Sequence, residues 1–191
     1  GVNAIAYGAE LVNFLTVVGE DMRDAHSHPE SGFDPPYTTV HVGTIQGGTA
    51  QNIVPRHCKF SWEYRLMPGE DASEIRRRFQ THVDEVVLPK MHAVDKSTGI
   101  ETEVRAFVPG LMPEQGSPAE ALVLALARKN TTGVVAYGTE AGQFQEAGNP
   151  CVVCGPGSIA QAHKPNEFID LGEVRACEIF MRRLLDEVCA A

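Results

Sequence analysis

The chain has 191 residues, 43% of them hydrophobic and 21% charged, with a net charge of −9. That length predicts one or two domains with a sizeable core. The acidic balance argues against nucleic acid as a partner, because phosphate binding needs a basic face. No apolar run approaches the roughly 18 residues that span a membrane. Gly1 opens into helical sequence with no basic leader or cleavage site. Five cysteines, an odd number without framework spacing, favour reduced thiols and a cytoplasmic protein.

In chain order, residues 3 to 19 predict a helix. Ile5, Leu11, Val12, Leu15 and Val18 fall near its period, and Asn3 is placed to cap it. A polar, turn-rich loop follows over residues 20 to 36. Tyr37 to Ile45, rich in β-branched residues, reads as a strand. Arg56 to Leu66 is the clearest strand: Cys58, Phe60, Trp62, Tyr64 and Leu66 alternate with polar residues, so one face is buried. Glu70 to Leu88 predicts an amphipathic helix with a stripe of Ile75, Phe79, Val83 and Val86. The run Arg76 to Arg78 on it reads as a solvated face. Thr98 to Val108 reads as a third strand.

Val108 to Pro113 reads as a linker, and Ser117-Pro118 starts a helix in the favoured way. Val134 to Tyr137 and Cys151 to Cys154 read as short buried strands. Residues three apart on a strand point to opposite faces, so Cys151 and Cys154 are expected to be two buried small apolar residues and not a metal pair. Asp170 with Glu173 resembles a capping box before a final helix striped by Val174, Cys177, Met181, Leu184 and Val188. The pattern predicts two parts: an open-faced α+β sandwich with helices on one face of its sheet, then a shorter α/β block with part of a parallel sheet.

The stretch Gly155-Pro-Gly-Ser-Ile-Ala-Gln-Ala-His163-Lys-Pro-Asn-Glu167 follows a predicted strand and precedes a helix. Glycine-rich loops in that setting are where α/β sheets usually keep their ligands. Alone, each residue has a bland reading: His163 a loop histidine, Asn52 a turn former, Arg65 a solvent charge, Thr139 and Glu140 loop shapers.

The order of segments is more specific. Gly1-Val-Asn-Ala-Ile5, Gly47-Gly-Thr-Ala-Gln-Asn-Ile-Val-Pro55, Tyr64-Arg65, Gly138-Thr-Glu140, Gly155-Pro-Gly157 and His163-x-x-Asn-Glu167 together resemble the dinuclear-zinc amidohydrolase and peptidase family. The likeness is greatest to its acetylornithine deacetylase branch and runs through nearly all of the chain. It implies a ferredoxin-like α+β lid or dimerisation domain over residues 1–112. Residues 113–191 would then be the C-terminal part of a zinc-peptidase-type α/β catalytic domain.

The resemblance also implies roles. His163 matches the last metal ligand, a neutral imidazole being a good zinc ligand, with Asn166 or Glu167 placed to orient it. Asn52 and Arg65, thirteen residues apart, match the two lid residues that bind substrate. Arg65 suits the carboxylate end of an amino acid. Thr139 and Glu140 line the pocket, and Gly155 and Gly157 let backbone N–H groups approach an anion. A complete site of this family holds two Zn²⁺ (or Co²⁺) ions, which polarise an amide carbonyl and activate water. The family's His-x-Asp motif, bridging Asp, Glu-Glu pair and lid histidine have no counterparts here, and His26-Ser-His28 matches no family ligand.

Two classes of function follow. The first is part of a homodimeric hydrolase, pairing through residues 1–112, that deacylates an N-acyl amino acid. Its expected substrate is N-acetylornithine, in arginine biosynthesis, and this chain is inactive by itself. The alternative is a non-catalytic dimerisation and substrate-gripping module.

Overall fold

A computed structural model describes residues 1–189, which fall into two compact units: Gly1–Phe107 and a second beginning at Val108. The architecture is mixed α and β, with several helices and one small sheet.

The first unit is built on α1 (Ala4–Ala25) and the antiparallel strands β1 (Thr39–Gly47) and β2 (Cys58–Arg65). Asn3 caps α1 through a bond from the Ala6 N–H to its Oδ1, at 3.1 Å. The helix runs six residues past the predicted end. Residues 20 to 25 carry no breaker, and Met22 continues the buried stripe of Leu11, Leu15 and Val18.

The strands pair Val40 with Tyr64, Val42 with Trp62 and Ile45 with Phe60. A bulge between Val42 and Thr44 inserts one residue, so Ile45 returns to the same face as Val42. The apolar face of this ribbon packs under α1 and a second helical rod.

That rod comprises α2 (Ala72–His82), a π-helical turn (Val83–Val87) and α3 (Leu88–His92). Ile75, Phe79, Val83, Val87 and Met91 are its buried residues. They recur every four residues, a spacing that drifts around a regular helix of 3.6 residues per turn. The π turn takes up the drift. It falls where Pro89 offers no N–H to the Glu85 carbonyl and its ring crowds it. Val87 therefore occupies the buried stripe where Val86 was expected, and Val86 is only half-buried. The T-shaped pair Phe60–Phe79, centroids 6.4 Å apart, and the pair Trp62–Phe79 at 5.0 Å bring rod and ribbon together.

Two polar contacts join the rod to α1. Arg78 donates to Asp21 at 2.7 Å, and Lys90 to Glu10 at 2.5 Å. Arg78 is thus a helix-to-helix tie, not a purely solvated charge. A buried threonine, Thr38, accepts from the Met67 N–H at 2.8 Å and donates to the Glu70 carboxylate, fixing the turn before α2.

The second unit holds α4 (Pro118–Ala127), α5 (Ala141–Glu146) and α6 (Leu171–Cys189). α4 and α6 pack together, and Arg183 donates to the Leu126 carbonyl at the end of α4 at 2.7 Å. Ser117 precedes α4 as expected, yet its buried hydroxyl makes no capping bond. The stretch read as a linker is docked instead. The Gln145 amide both donates to and accepts from the Met112 main chain, at 2.9 and 2.8 Å. A Cβ on Gly142 would lie 2.1 Å from the Pro109 carbonyl oxygen, so only glycine admits this approach.

Three expectations fail. Thr98 to Val108, Val134 to Tyr137 and Cys151 to Cys154 form no strands, and no parallel sheet exists among the described residues. The sheet expected of a ferredoxin-like lid is limited here to the β1–β2 ribbon. The physical reason is common to all three. A short apolar run becomes a strand only beside another strand that takes its N–H and C=O groups. Among the described residues no strand lies beside these segments, although Thr98 bonds to Asp95 and His92, and Ile100 still packs on the core. Cys154 is exposed and Cys151 half-buried, and Val174, Met181 and Val188 on α6 are exposed, all where burial was expected.

The aromatic contact predicts a large effect. Phe79→Ala should cost about 3–5 kcal/mol, whereas Lys90→Ala, at an exposed ion pair, should cost less than about 1 kcal/mol. Urea unfolding followed by the fluorescence of Trp62, the chain's one tryptophan, reports both. A second prediction concerns Asp71, which caps α2. The Ser73 N–H and hydroxyl hold its carboxyl below the ordinary value of 3.8. A depressed folded-state value gives stability that is complete above that ordinary value and is lost as pH falls through the folded one. Asp71→Asn keeps a capping acceptor without the charge, and should flatten this limb of a pH–melting profile below about pH 4.

Candidate functional site

The predicted residues occupy three places. Asn52 lies in the loop joining β1 to β2, which with the start of α1 lines a concavity of about 680 Å³. Asn3, Thr49, Gln51 and Asn52 give it polar groups, and Ile5, Ile53 and Val54 an apolar part. The loop is tied to α1 by the bond from the Ala4 N–H to the Pro55 carbonyl, at 3.0 Å. Two glycines open it. Gly48 adopts φ +77°, and a Cβ on Gly47 would lie 2.9 Å from Ile5 and 3.0 Å from the His57 carbonyl.

Arg65 is elsewhere. It ends β2, paired with Thr39, while the Asn52 loop leaves from the Gly47–Cys58 end of the hairpin. The seven-residue rise from Cys58 to Arg65 separates them by about 23 Å. The structure therefore does not bring Asn52 and Arg65 together within one chain. The Arg65 side chain is exposed and meets Glu63: its Nε and Nη2 each lie 3.2 Å from Glu63 Oε1. No sequence argument singled out Glu63. Its signal was its place two residues before Arg65 on the polar face of the same strand.

The third place is in the second unit. Thr139 accepts from the Ala141 N–H at 3.2 Å, and Glu140 is the residue before α5. Gly155 and Gly157 are exposed, Gly157 at φ +97°. The Gly157 N–H points to the Glu173 carboxylate at 3.4 Å. Glu173 thus does not close a capping box; Asp170 alone bonds the Gly172 N–H, at 2.6 Å. His163 is exposed, with φ +61°, and its N–H donates to the Glu167 carboxylate at 3.2 Å. This loop presents backbone donors to carboxylates, and here they are the chain's own.

Among the described residues no three His, Cys, Asp or Glu side chains converge to hold an ion. Glu167, the acid nearest His163 in sequence, bonds its backbone. The described residues do not fit a complete metal site, and His163 offers at most one ligand to it. His26 and His28 lie just beyond α1, and the His28 ring nitrogens Nδ1 and Nε2 lie 3.7 and 3.5 Å from the Glu30 and Glu70 carboxylates. No helix is long and apolar enough to cross a membrane among the described residues.

The comparisons fit this geometry. Residues 1–91, which hold the ribbon and its two helices, match the family model described as a peptidase dimerisation domain. The first unit is thus similar to an M20 peptidase dimerisation domain, and nearly the whole chain to proteins named acetylornithine deacetylase. It is 34% identical over 92% of its length to a Myxococcus xanthus protein named acetylornithine deacetylase, covering 43% of that protein. It is 30% identical over 99% of its length to one of that name from Photorhabdus laumondii, covering 47%. A Buchnera aphidicola protein of that name is 25% identical over 99% of the chain. The chain spans about half the length of the curated relatives it matches.

The concavity separates shape from contact. Gly47→Ala should destabilise the first unit by about 1–3 kcal/mol through overpacking against Ile5 and the His57 carbonyl. Asn52→Ala, in an exposed turn, should stay within about 0.5 kcal/mol. Paired urea titrations measure the difference.

Proposed function

We propose that the chain is the dimerising and substrate-gripping part of a metal-dependent amidohydrolase that deacylates an N-acyl amino acid, with N-acetylornithine the first candidate. The observation that carries this reading is the likeness, along nearly the whole chain, to relatives named acetylornithine deacetylase. The complete protein would be a cytoplasmic homodimer of arginine biosynthesis, binding two Zn²⁺ or Co²⁺ ions per active site. His163 is assigned one ligand position, and the remaining ligands lie outside the described residues.

Within this reading the Gly155–Gly157 loop and Thr139–Glu140 border the pocket. A ligand carboxylate would exchange with those of Glu173 and Glu167 at the loop's N–H groups. Asn52 and Arg65, at opposite ends of the hairpin, cannot grip one small substrate from the same chain. In a dimer they serve different active sites. Residues 1–112 supply the pairing surface and 113–191 the edge of the catalytic domain.

The non-catalytic reading is kept because the dimerisation match covers residues 1–91 and the described residues contain no metal cluster. One experiment separates the two. Amide hydrolysis of N-acetylornithine is assayed with Zn²⁺ or Co²⁺ on the complete protein and on residues 1–191. Turnover by the complete protein, abolished by His163→Ala and absent from 1–191, supports the enzyme reading. No turnover by the complete protein supports the module. Light scattering across a dilution series should show a dimer in either case, and a monomer at high micromolar concentration would remove the pairing role.

A further inference from the structure

Glu63 and Arg65 project from the same outward face of β2, two residues and about 6.7 Å apart along the strand. Their neighbours Tyr64 and Trp62 pack inward. Both guanidinium contacts, from Nε and Nη2, fall on the single oxygen Oε1 of Glu63. Glu63 Oε2 and Arg65 Nη1 make no bond to any described residue, so each charge keeps an unused position. Around them the face is polar. His41 stands opposite Glu63 in the ladder, Thr39 opposite Arg65, and Ser61 and Lys59 continue it along β2. Both side chains of the pair are exposed.

From this face we infer that Glu63 is a specificity residue that takes the cationic side chain of the substrate while Arg65 takes its α-carboxylate. The inference rests on the substrate-binding reading of Arg65 given above. The chemistry is charge matching. An N-acyl basic amino acid carries a carboxylate and, three methylenes from its α-carbon, an ammonium. The two charged groups meet at 3.2 Å, and a substrate carrying both charges would part them, each end taking the group of opposite sign. A lone arginine would select any N-acyl amino acid, whereas the pair rewards one with a cationic side chain and leaves a neutral one with an unmatched glutamate. As an exposed ion pair it contributes little to stability, so removing Glu63 leaves the fold in place.

The test uses the complete protein and three substrates: N-acetylornithine, N-acetylnorvaline (the same side chain without its ammonium) and N-acetylglutamate. Glu63→Gln should lower kcat/KM for N-acetylornithine about tenfold to a hundredfold, the worth of a charge-assisted hydrogen bond. It should leave N-acetylnorvaline within about twofold. Glu63→Lys should shift preference toward N-acetylglutamate, a gain that a purely structural role cannot give. Melting temperatures of both variants should match the wild type. Equal losses on all three substrates would make Glu63 a prop for Arg65 and overturn the proposal, as would no loss on any. Arg65→Ala is run beside them. Loss on every substrate upholds the carboxylate role of Arg65. An unaffected Arg65→Ala together with a selective Glu63→Gln would sink the arginine reading alone. Failure of the wild type to hydrolyse any of the three would sink the functional reading and this inference with it.

Discussion

Phe79 stands between two of the three aromatic residues of β2 that point inward, its ring within 5.0 Å of Trp62 and 6.4 Å of Phe60. A two-stranded ribbon is marginal in water by itself, so it persists only if its apolar face is covered. α1 and the 72–92 rod do this together, and Phe79 is where the rod meets the ribbon. The helix-to-helix bond from Arg78 to Asp21 serves that cover, which takes in Val40, Val42, Phe60, Trp62 and Tyr64 and leaves Ile45 about half exposed. The loop carrying Asn52 and the outward face carrying Glu63 and Arg65 take their positions from it.

Alternation made β2 legible. Phe60, Trp62, Tyr64 and Leu66 were assigned to one face because only one side of the ribbon is covered, and all four pack on the core. The Asn3 cap was legible for a similar reason: a short side chain before an apolar repeat has one natural use. A regular helical period predicts Val86 on the stripe, and the π turn before Pro89 puts Val87 there instead. Nothing in the local pattern marks a π turn except that proline.

The strands read at Thr98–Val108, Val134–Tyr137 and Cys151–Cys154 show a different limit. Apolar composition records that a segment is suited to burial, while a strand also needs a neighbour, which composition does not record. The site was partly legible in the same sense. Asn52 and Arg65 stand thirteen residues apart, which suggests proximity. The hairpin turns that distance into its own length, because the chain leaves the loop and runs away from it. The bonds from the Gly157 and His163 N–H groups to Glu173 and Glu167 depend on loop geometry that no spacing rule gives.

The π turn in the 72–92 rod has a consequence for how this chain tolerates changes of length. A π turn is an α-helix holding one surplus residue. Removing one from the outward positions 84–86 would change the buried spacing from four-four-four-four to four-four-three-four, which a regular helix satisfies without distortion. Adding one there would widen the gap and turn Val87 and Met91 off the ribbon. Length variation at this point is therefore one-sided: the rod has a residue to lose and no room to gain one.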